Sequence, residues 1–411
     1  MVKADSLIKL NKDKWLICLL ALSAPLFSLR IYASISLFDI FTLFAVLIFP
    51  FSFRLKTVLL FVIFTVSVIV SELNGFYYIG INGDNFADSI NIFCRYVILL
   101  FVMPYLSYKL FYQDNESKSK IDLFYQSLIA SFFCILLFNV YAIYYQVEDY
   151  FLFQRFCSIY KNPNTAALVF NIMTVICLYN TGNKTRWVSL ISYVSLPLIL
   201  SSLLFTGSFS GFIIEFIILS GFLIKTINFR VSVIVFGLLF GVISADLSFI
   251  DRDSQLLRGL DRFNQLVEII KELDDVEIIE IGAAGERLTT IRMSINEIIL
   301  SPSYIFSGVG FGNVNDLAYN LTGQKGSIHL VYLQMIISIG IIATAIYLYI
   351  FFRILNKVPR YFVGTNFANQ GAVIIGVFLI LGMFIPHTYM SFYFAPVFPF
   401  LGLYGVKNEL A

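Results

Sequence analysis

The sequence predicts an all-α polytopic membrane protein, with about twelve transmembrane helices and one large external loop. Hydrophobic residues make up 59% of the chain, and charged residues make up only 13%. Because so few charged side chains cannot cover the surface of a soluble domain, we expect a lipid bilayer as the solvent. Apolar stretches that approach the roughly 20 residues needed to cross a bilayer recur along the chain, and unpaired backbone groups disfavour open sheets in lipid.

Hydropathy predicts, to within several residues, helices at 15–33, 36–53, 57–72, 86–107, 123–145, 165–180, 188–205, 209–224, 231–249, 328–352, 371–386 and 391–406. The chain then divides into helices one to nine (1–249), a large loop (250–327) and helices ten to twelve (328–411). A basic segment with Lys3, Lys9, Lys12 and Lys14 precedes the first helix, and no convincing small-residue cleavage site follows it. We therefore expect the first helix to be a retained signal-anchor.

The distribution of basic residues predicts that both termini are cytoplasmic. With the N-terminus inside, the short outside loops and their edges carry only Arg30, Arg155 and Lys161. The inside loops carry a larger set besides the N-terminal lysines: Arg54, Lys56, Lys109, Lys118, Lys120, Lys184, Arg186, Lys225, Arg230, Arg353, Lys357, Arg360 and Lys407. This asymmetry follows the positive-inside rule. The small net charge of +2 gives no indication of nucleic-acid binding.

The large loop is rich in charged residues, and a long translocated loop can lie outside because it largely ignores the charge rule. The stretch FNQLVEIIKELDDVEIIEI predicts an amphipathic helix that lies on the membrane surface or caps the helical bundle. The stretch GERLTTIRMSINEIILSPSY predicts a second helix that ends near Pro302. The glycines of SGVGFGN lack the strand context of a dinucleotide site and predict a flexible turn, through which backbone N–H groups could still approach a ligand.

An outside loop carries the motif QRFCSIYKNPNTAAL, in which Arg155 and Lys161 precede a helix that begins at Asn-Pro-Asn. Asn164 is the expected N-cap of this helix, because asparagine side chains accept hydrogen bonds from the first backbone amides. Helix N-termini also favour anions, so binding of an anionic ligand is the alternative. The five cysteines show neither a disulfide framework nor metal-ligand spacing.

Two further polar features lie in apolar surroundings. In FTGSFSGFIIEF, the residues Ser208, Gly211 and Glu215 share one helical face, which favours close helix packing over ligand contact. Arg95 lies deep inside a predicted span, where a charge is costly and usually faces the bundle interior or a wet cavity. A structural ion pair with Glu215 and a functional role are both open for Arg95.

The order of the motifs is more specific than any one of them. Arg155 and Asn-Pro-Asn precede one helix, Thr-Gly-Ser marks a hairpin, and the large loop contains Gly-Glu-Arg and Gly-Val-Gly-Phe-Gly. His-x-x-Tyr-Leu-Gln then leads into a helix that contains Gly340. This order resembles the O-antigen polymerase and O-antigen ligase superfamily of bacterial envelopes. The resemblance covers most of the chain and is strongest from Arg155 to Gly340.

The resemblance implies a GT-C-like, metal-independent glycosyltransferase of the bacterial inner membrane, with a periplasmic active site and no cofactor. Its donor would be an oligosaccharide on undecaprenyl pyrophosphate, and its other partners would be membrane lipids and a chain-length regulator protein. The family's loop arginine maps onto Arg287 and its histidine onto His329, the two expected catalytic residues. We expect the following residues to bind the substrate: Arg155, Lys161, Asn164, Arg95, Arg292 and Tyr332.

The chemistry of such a transfer suits these residue types. A pyrophosphate leaving group needs cations, and arginine binds phosphate through a planar fork while staying charged. Histidine titrates near neutrality, as a general base for an acceptor hydroxyl requires. Without the resemblance, Arg287 is equally explained by a surface salt bridge within the loop. His329 is then best explained as an interfacial histidine bonded to a loop carbonyl.

Two departures from the family pattern bear on the choice of acceptor. Phe209 follows Thr-Gly-Ser where the family often has arginine, and Leu330 follows His329 where it often has asparagine. We take both departures to favour a polymerase, which extends a lipid-linked glycan, over a ligase, which transfers the glycan to the lipid A core. A lipid-linked oligosaccharide flippase is a third alternative. It would carry charges through both leaflets and often internal repeats, and no repeat is found in the sequence.

The place of Arg287 in GERLTT generates a first prediction. Arg287→Ala should abolish glycan transfer while the protein still inserts and folds, and Arg287→Lys should restore transfer only partly, because a point charge cannot replace the guanidinium fork. The measurement is transfer by the purified variants with a lipid-linked donor. Full activity of the alanine variant would remove Arg287 from the site.

Overall fold

The computed structural model describes residues 2–26, 30–32, 35–49, 54–78, 83–152, 155–160, 162–226, 295, 303–314, 316–317, 331–382 and 394–406. Several predicted features lie outside these residues: the helix at 231–249, the amphipathic loop helix, Lys161, Arg287, Arg292 and His329. The described part of the chain is mostly helical, in agreement with the predicted all-α membrane class.

The N-terminal part of the chain forms α1 (Val2–Ser23), α2 (Leu37–Ile48), α3 (Leu55–Tyr78), α4 (Gly83–Val97), α5 (Met103–Phe111) and α6 (Ser117–Tyr144). A π-helical turn at Ile98–Val102 joins α4 to α5. The chain continues with α7 (Pro163–Asn180), α8 (Arg186–Thr206), α9 (Phe209–Thr226), α10 (Ser303–Phe306), α11 (Val331–Tyr361), α12 (Asn366–Leu381) and α13 (Phe398–Leu401).

Five stretches of the described residues are long and apolar enough to cross a membrane: Leu55–Tyr77, Phe86–Phe111, Ser117–Tyr144, Arg186–Thr206 and Tyr332–Tyr361. Shorter apolar helices are present at Leu37–Ile48, Ser210–Phe222, Phe367–Ile380 and Ala395–Tyr404. A bilayer core requires about 20 residues per helix. The full set of about twelve spans therefore stays a prediction.

The ends of the chain differ most from the predicted helices. The helix expected at 15–33 begins at Val2 and ends at Ser23, just before Pro25, whose ring cannot continue a helix. The helix expected at 391–406 is described from Phe394 onward, and 3₁₀ turns flank α13 there because prolines interrupt the α-helical hydrogen bonds. Two antiparallel hairpins were also missed by the all-α prediction: β1 (Arg30–Tyr32) with β2 (Ile35–Ser36), and β3 (Phe151–Leu152) with β4 (Arg155–Phe156).

The chain forms two compact units that are interleaved in sequence. The first unit comprises Met1–Ile17, Asp39–Leu123 and Glu277–Ala411, and the second unit comprises Cys18–Phe38 and Phe124–Val276.

Helix α7 forms the core of the second unit and is buried along most of its length, packed against α8 and α9. Gly211 brings the backbones of α7 and α9 close together. A Cβ atom placed on Gly211 would lie only 2.6 Å from the Cβ of Ala167. The close packing predicted for this small-residue face is therefore present.

Helix α11 forms the core of the first unit and packs against α3, α10 and α12. It is interrupted at Gly340, whose φ of 76° and ψ of 170° are far from helical values. A Cβ atom at Gly340 would clash with the carbonyl oxygen of Phe306, at the end of α10. Only glycine adopts such a conformation at so close an approach without strain.

A buried ionic cluster holds the N-terminal helix in the first unit. Lys120, which the charge rule assigned to an inside loop, is fully buried and donates to Asp114 at 2.7 Å and to Asp13 at 3.2 Å. Two carboxylates compensate for the loss of hydration of one ammonium group. The cluster therefore fixes α1 against the start of α6.

The interruption of α11 generates a second prediction. Gly340→Ala should lower the free energy of unfolding by about 3 kcal/mol or more, because the added Cβ meets the Phe306 carbonyl in a strained backbone. Gly376→Ala in α12 is the matched control, since nothing lies within 4 Å of a Cβ there. Thermal unfolding of both purified variants in detergent measures the difference. Equal melting of the two variants would contradict the role given to Gly340.

Candidate functional site

The guanidinium of Arg155 joins three segments of the second unit. Its Nε donates to the Thr206 carbonyl at 2.8 Å, and its Nη2 donates to Asn164 Oδ1 at 2.9 Å and to the Gly207 carbonyl at 3.2 Å. The β3–β4 hairpin holds the arginine, which pairs there with Leu152. The motifs around 155, 162–164 and 206–208, which the sequence analysis selected separately, therefore form one hydrogen-bonded cluster, which we call the Arg155 cluster.

The two asparagines of Asn-Pro-Asn have different roles, and the N-cap predicted at Asn164 is wrong. Asn162 is the N-cap of α7, and its Oδ1 accepts from the backbone N–H groups of Asn164 at 2.9 Å and Thr165 at 3.2 Å. Pro163 occupies the first helical position, where its fixed φ is favourable. Because Asn162 already satisfies these two amides, the N-terminus of α7 is less available to an anion than the sequence indicated.

Because Asn164 is not the N-cap, its side chain can form hydrogen bonds within the Arg155 cluster. Its Oδ1 accepts from Arg155 and also from Ser208 Oγ at 3.0 Å. Gly207 is the C-cap of α8 in the left-handed conformation, with a φ of 53°, which glycine adopts readily. The Thr-Gly-Ser sequence thus ends α8, exposes two carbonyls to Arg155 and places the Ser208 hydroxyl on Asn164.

The Arg155 cluster has a chemical consequence. The three acceptors named here are neutral groups, and their bonds orient the guanidinium. An oriented, half-buried guanidinium is a suitable group for an anionic oxygen of phosphate or a sugar acid. The same bonds also satisfy carbonyls at the C-terminus of α8, where a cation is favourable. Arg155 thus caps the C-terminus of α8 and places a positive charge there.

The neighbouring cysteine is in an environment that favours the neutral thiol over the nucleophilic thiolate. Burial raises the pKa of the Cys157 thiol to about 11, although the charge of Arg155 opposes this shift. The thiol is therefore protonated at neutral pH, and it donates to the Arg155 carbonyl at 3.4 Å. Ser158 follows in the left-handed region with a φ of 51° and is held by Asn139 at 2.6 Å. Such a conformation is unfavourable for serine, so this loop is tightly specified by its surroundings.

Further along α7 and α9 than the Arg155 cluster, a buried carboxyl group joins these two helices. Glu215 accepts from Asn171 Nδ2 at 2.7 Å and from Thr174 Oγ1 at 2.8 Å, and Asn171 also donates to the Gly211 carbonyl. These side chains are almost completely buried. Ser208, Gly211 and Glu215 therefore do share a face, as predicted, and that face is turned to α7.

The glycines of SGVGFGN form a fixed turn in the first unit. The amides of Val309 and Gly310 both donate at 2.8 Å, to the carbonyls of Ile337 and Ser338 in α11. The next two amides bind side chains: Phe311 N–H donates to Glu72 at 2.9 Å, and Gly312 N–H donates to Ser89 at 2.7 Å. These four amides therefore have protein acceptors. They are not open to a ligand in the way that the sequence led us to expect of a flexible turn.

The glycine turn positions the first part of α11. Its hydrogen bonds lie one turn or less before Gly340, and Asn74 on α3 donates to Ser307 Oγ and to the Gly308 carbonyl of the turn. The segment 331–339 is thus a separate half-helix with a fixed register. Tyr332 lies in its first turn, and its hydroxyl donates to the Leu379 carbonyl of α12. This bond gives Tyr332 a structural partner, in addition to the substrate contact predicted for it.

Arg95 lies in the last turn of α4, inside the candidate span Phe86–Phe111. Its Nε donates to Asn91 Oδ1 at 3.2 Å, one turn earlier on the same helix. The hydrogen-bond partners named above for Glu215 are uncharged, and its ion pair with Arg95 stays a prediction. The structural role of Arg95 therefore includes an intrahelical contact, and its functional role stays a prediction.

Sequence reasoning missed several residues that build these sites: Asn162, Asn171, Thr174, Glu72 and Ser89. An acidic residue inside an apolar span is a recognisable signal, because a membrane-embedded charge is usually functional or paired. Glu72 fits that signal, since it lies within the candidate span Leu55–Tyr77. The partners of such a residue depend on tertiary packing and cannot be found by spacing.

A comparison of the sequence with models of known protein families gave no match, and a comparison with curated proteins gave no significant match.

The Arg155 cluster generates a third prediction. Arg155→Ala should lower the free energy of unfolding by about 1–3 kcal/mol, because it leaves the Thr206 carbonyl, the Gly207 carbonyl and Asn164 Oδ1 without this donor. Arg186→Ala, which removes an exposed arginine at the other end of α8, is the control. Thermal unfolding in detergent compares the two, and identical melting temperatures would show that the cluster adds no stability.

Proposed function

We propose that this protein is an O-antigen polymerase, which joins undecaprenyl-pyrophosphate-linked oligosaccharide units at the periplasmic face of the bacterial inner membrane. The observation that carries the proposal is the Arg155 cluster. It brings Arg155, Asn-Pro-Asn and Thr-Gly-Ser together, although up to about fifty residues separate them in the sequence. These are three of the motifs on which the resemblance to the polymerase and ligase superfamily rests.

The proposed role of Arg155 follows from its partners. Transfer of a sugar from a pyrophosphate leaves negative charge on the departing phosphate, which a fixed cation stabilises. The Thr206 and Gly207 carbonyls and Asn164 Oδ1 hold its guanidinium in a fixed orientation. Arg155 would therefore bind the donor pyrophosphate, with Asn164 as the residue that positions it. Arg287 and Arg292 would supply further positive charge from the large loop.

The proposed role of His329 rests on the half-helix 331–339. Interrupted helices in membrane proteins commonly mark binding sites, because the half-helix end can point at a ligand. His329 precedes this half-helix by two residues, and the glycine turn fixes the half-helix through Ile337 and Ser338. A neutral His329 would accept the proton of the attacking hydroxyl, so transfer should fall as the pH drops through its pKa.

The predicted topology agrees with an external site. In the second unit, the Arg155 cluster lies at the C-terminal end of α8, whereas Lys184 and Arg186 lie at its N-terminal end. In the first unit, the glycine turn contacts the C-terminal part of α3, whereas Arg54 and Lys56 lie at its N-terminal end. The positive-inside rule assigns the basic ends to the cytoplasm, so both motif clusters are expected on the opposite side.

The fourth prediction tests the proposed reaction in cells. A strain that lacks the gene should make lipopolysaccharide whose core carries one repeat unit, and the intact gene should restore long chains. His329→Gln should fail to restore long chains but keep donor binding in the purified protein. His387→Gln, which changes the only other histidine of the chain, is the matched control and should restore them.

The same experiment separates the alternatives. If the deletion strain has a bare core and accumulates lipid-linked polymer, the protein is a ligase and not a polymerase. If the deletion strain lacks lipid-linked units on the periplasmic side, the protein is a flippase. A separate measurement, transfer by the purified protein against pH, tests the base: if His329→Gln keeps near wild-type turnover across the pH range, the histidine is an interfacial anchor.

A further inference from the structure

Two cations in the first unit share one phenol oxygen. Lys56 Nζ donates to the Tyr349 hydroxyl oxygen at 3.2 Å, and Arg353 Nη1 donates to the same atom at 2.9 Å. The two nitrogens therefore lie within about 6 Å of each other by these bond lengths. Both cations also lie near the Tyr349 ring, and Arg353 lies 5.4 Å from the centre of the Tyr404 ring. The arrangement holds two like charges close together from α3 and α11.

The positive charge of this group is not compensated within the described residues. No salt bridge found among these residues involves Lys56, Arg353 or Lys357. Lys357, one turn after Arg353, donates to the carbonyls of Leu403 and Val406, and the charges of Arg54 and Arg353 both act on it. Arg54, Lys56, Arg353 and Lys357 thus form a basic cluster whose described partners are neutral. Like charges held this close repel each other, so an anion between them would be stabilised.

Apolar surface continues from the basic cluster along the helices. Lys56 lies at the first turn of the candidate span Leu55–Tyr77, and Arg353 lies in the last third of the candidate span Tyr332–Tyr361. The neighbouring side chains Leu55, Leu59 and Phe352 are 85%, 57% and 51% exposed, respectively. Charged groups at the end of a span, next to exposed apolar side chains, match the headgroup and acyl regions of a lipid.

We propose that the basic cluster binds the phosphate group of an anionic phospholipid. A phosphate that accepts hydrogen bonds of about 2.8 Å from two cations can bridge Lys56 and Arg353 at their observed separation. The Tyr349 hydroxyl uses its two acceptor positions on these cations and orients both of them. Leu55, Leu59 and Phe352 would then contact the acyl chains. This exposed apolar surface favours a lipid over free inorganic phosphate as the source of the phosphate.

The experiment uses the full-length protein purified in a neutral detergent. Native mass spectrometry measures the binding of added phosphatidylglycerol and of added phosphatidylcholine, which differ in net charge. The test variant is the double substitution Lys56→Gln and Arg353→Gln. The control is the double substitution Lys118→Gln and Lys184→Gln, which removes the same charge from exposed positions outside the basic cluster. Tyr349→Phe provides an independent variant that keeps every charge and removes the shared acceptor.

We expect the test variant to bind phosphatidylglycerol roughly 30-fold more weakly, about fivefold for each lost cation near a membrane surface. The control variant should bind it like the unchanged protein, and Tyr349→Phe should weaken binding to a smaller extent. Equal binding by the test and control variants would overturn the proposal. So would equal binding of phosphatidylcholine, or displacement of the lipid by millimolar inorganic phosphate, which would assign the site to free phosphate.

Discussion

Backbone groups that a helix leaves unpaired must find partners inside a protein that is surrounded by lipid, and both motif clusters are built on this requirement. In the first unit, the interruption of α11 at Gly340 leaves the carbonyls of Ile337 and Ser338, which take the amides of Val309 and Gly310. In the second unit, the end of α8 leaves the carbonyls of Thr206 and Gly207, which take the guanidinium of Arg155. The glycine turn and the Arg155 cluster thus both lie where a regular helix is interrupted or ends.

The two clusters meet the same requirement with different electrostatic results. The glycine turn satisfies the α11 carbonyls with uncharged backbone amides, and its next two amides bind the carboxyl group of Glu72 on α3 and the hydroxyl of Ser89 on α4. At the end of α8, the carbonyls accept hydrogen bonds from a cation, Arg155. The guanidinium of Arg155 also donates to the uncharged amide of Asn164. The second arrangement therefore combines helix capping with a fixed positive charge. Arg155 therefore contributes both to the capping of α8 and to the positive charge at this end of the helix.

Hydropathy was sufficient to locate most of the helices, because burial in lipid requires long apolar stretches whatever the tertiary contacts. It could not locate the hairpins, since strands of two or three residues are too short to show a periodicity. The N-cap was misassigned to Asn164 because both asparagines of Asn-Pro-Asn have the right chemistry. Only the arginine of the neighbouring hairpin decides between them. The break at Gly340 was not predicted, because the carbonyl that excludes a side chain comes from Phe306, over thirty residues earlier.

Because Asn162 and Asn164 have separate roles, replacing each of them by aspartate should have a different effect. An aspartate at 162 would still accept from the amides of Asn164 and Thr165, and its charge would be favourable at the start of a helix. An aspartate at 164 would form an ion pair with Arg155 and neutralise it. The uncharged amide of Asn164 thus orients Arg155 without forming an ion pair with it. An acidic residue would therefore preserve the helix cap at the first position of the motif, but at the third position it would change the charge of the Arg155 cluster.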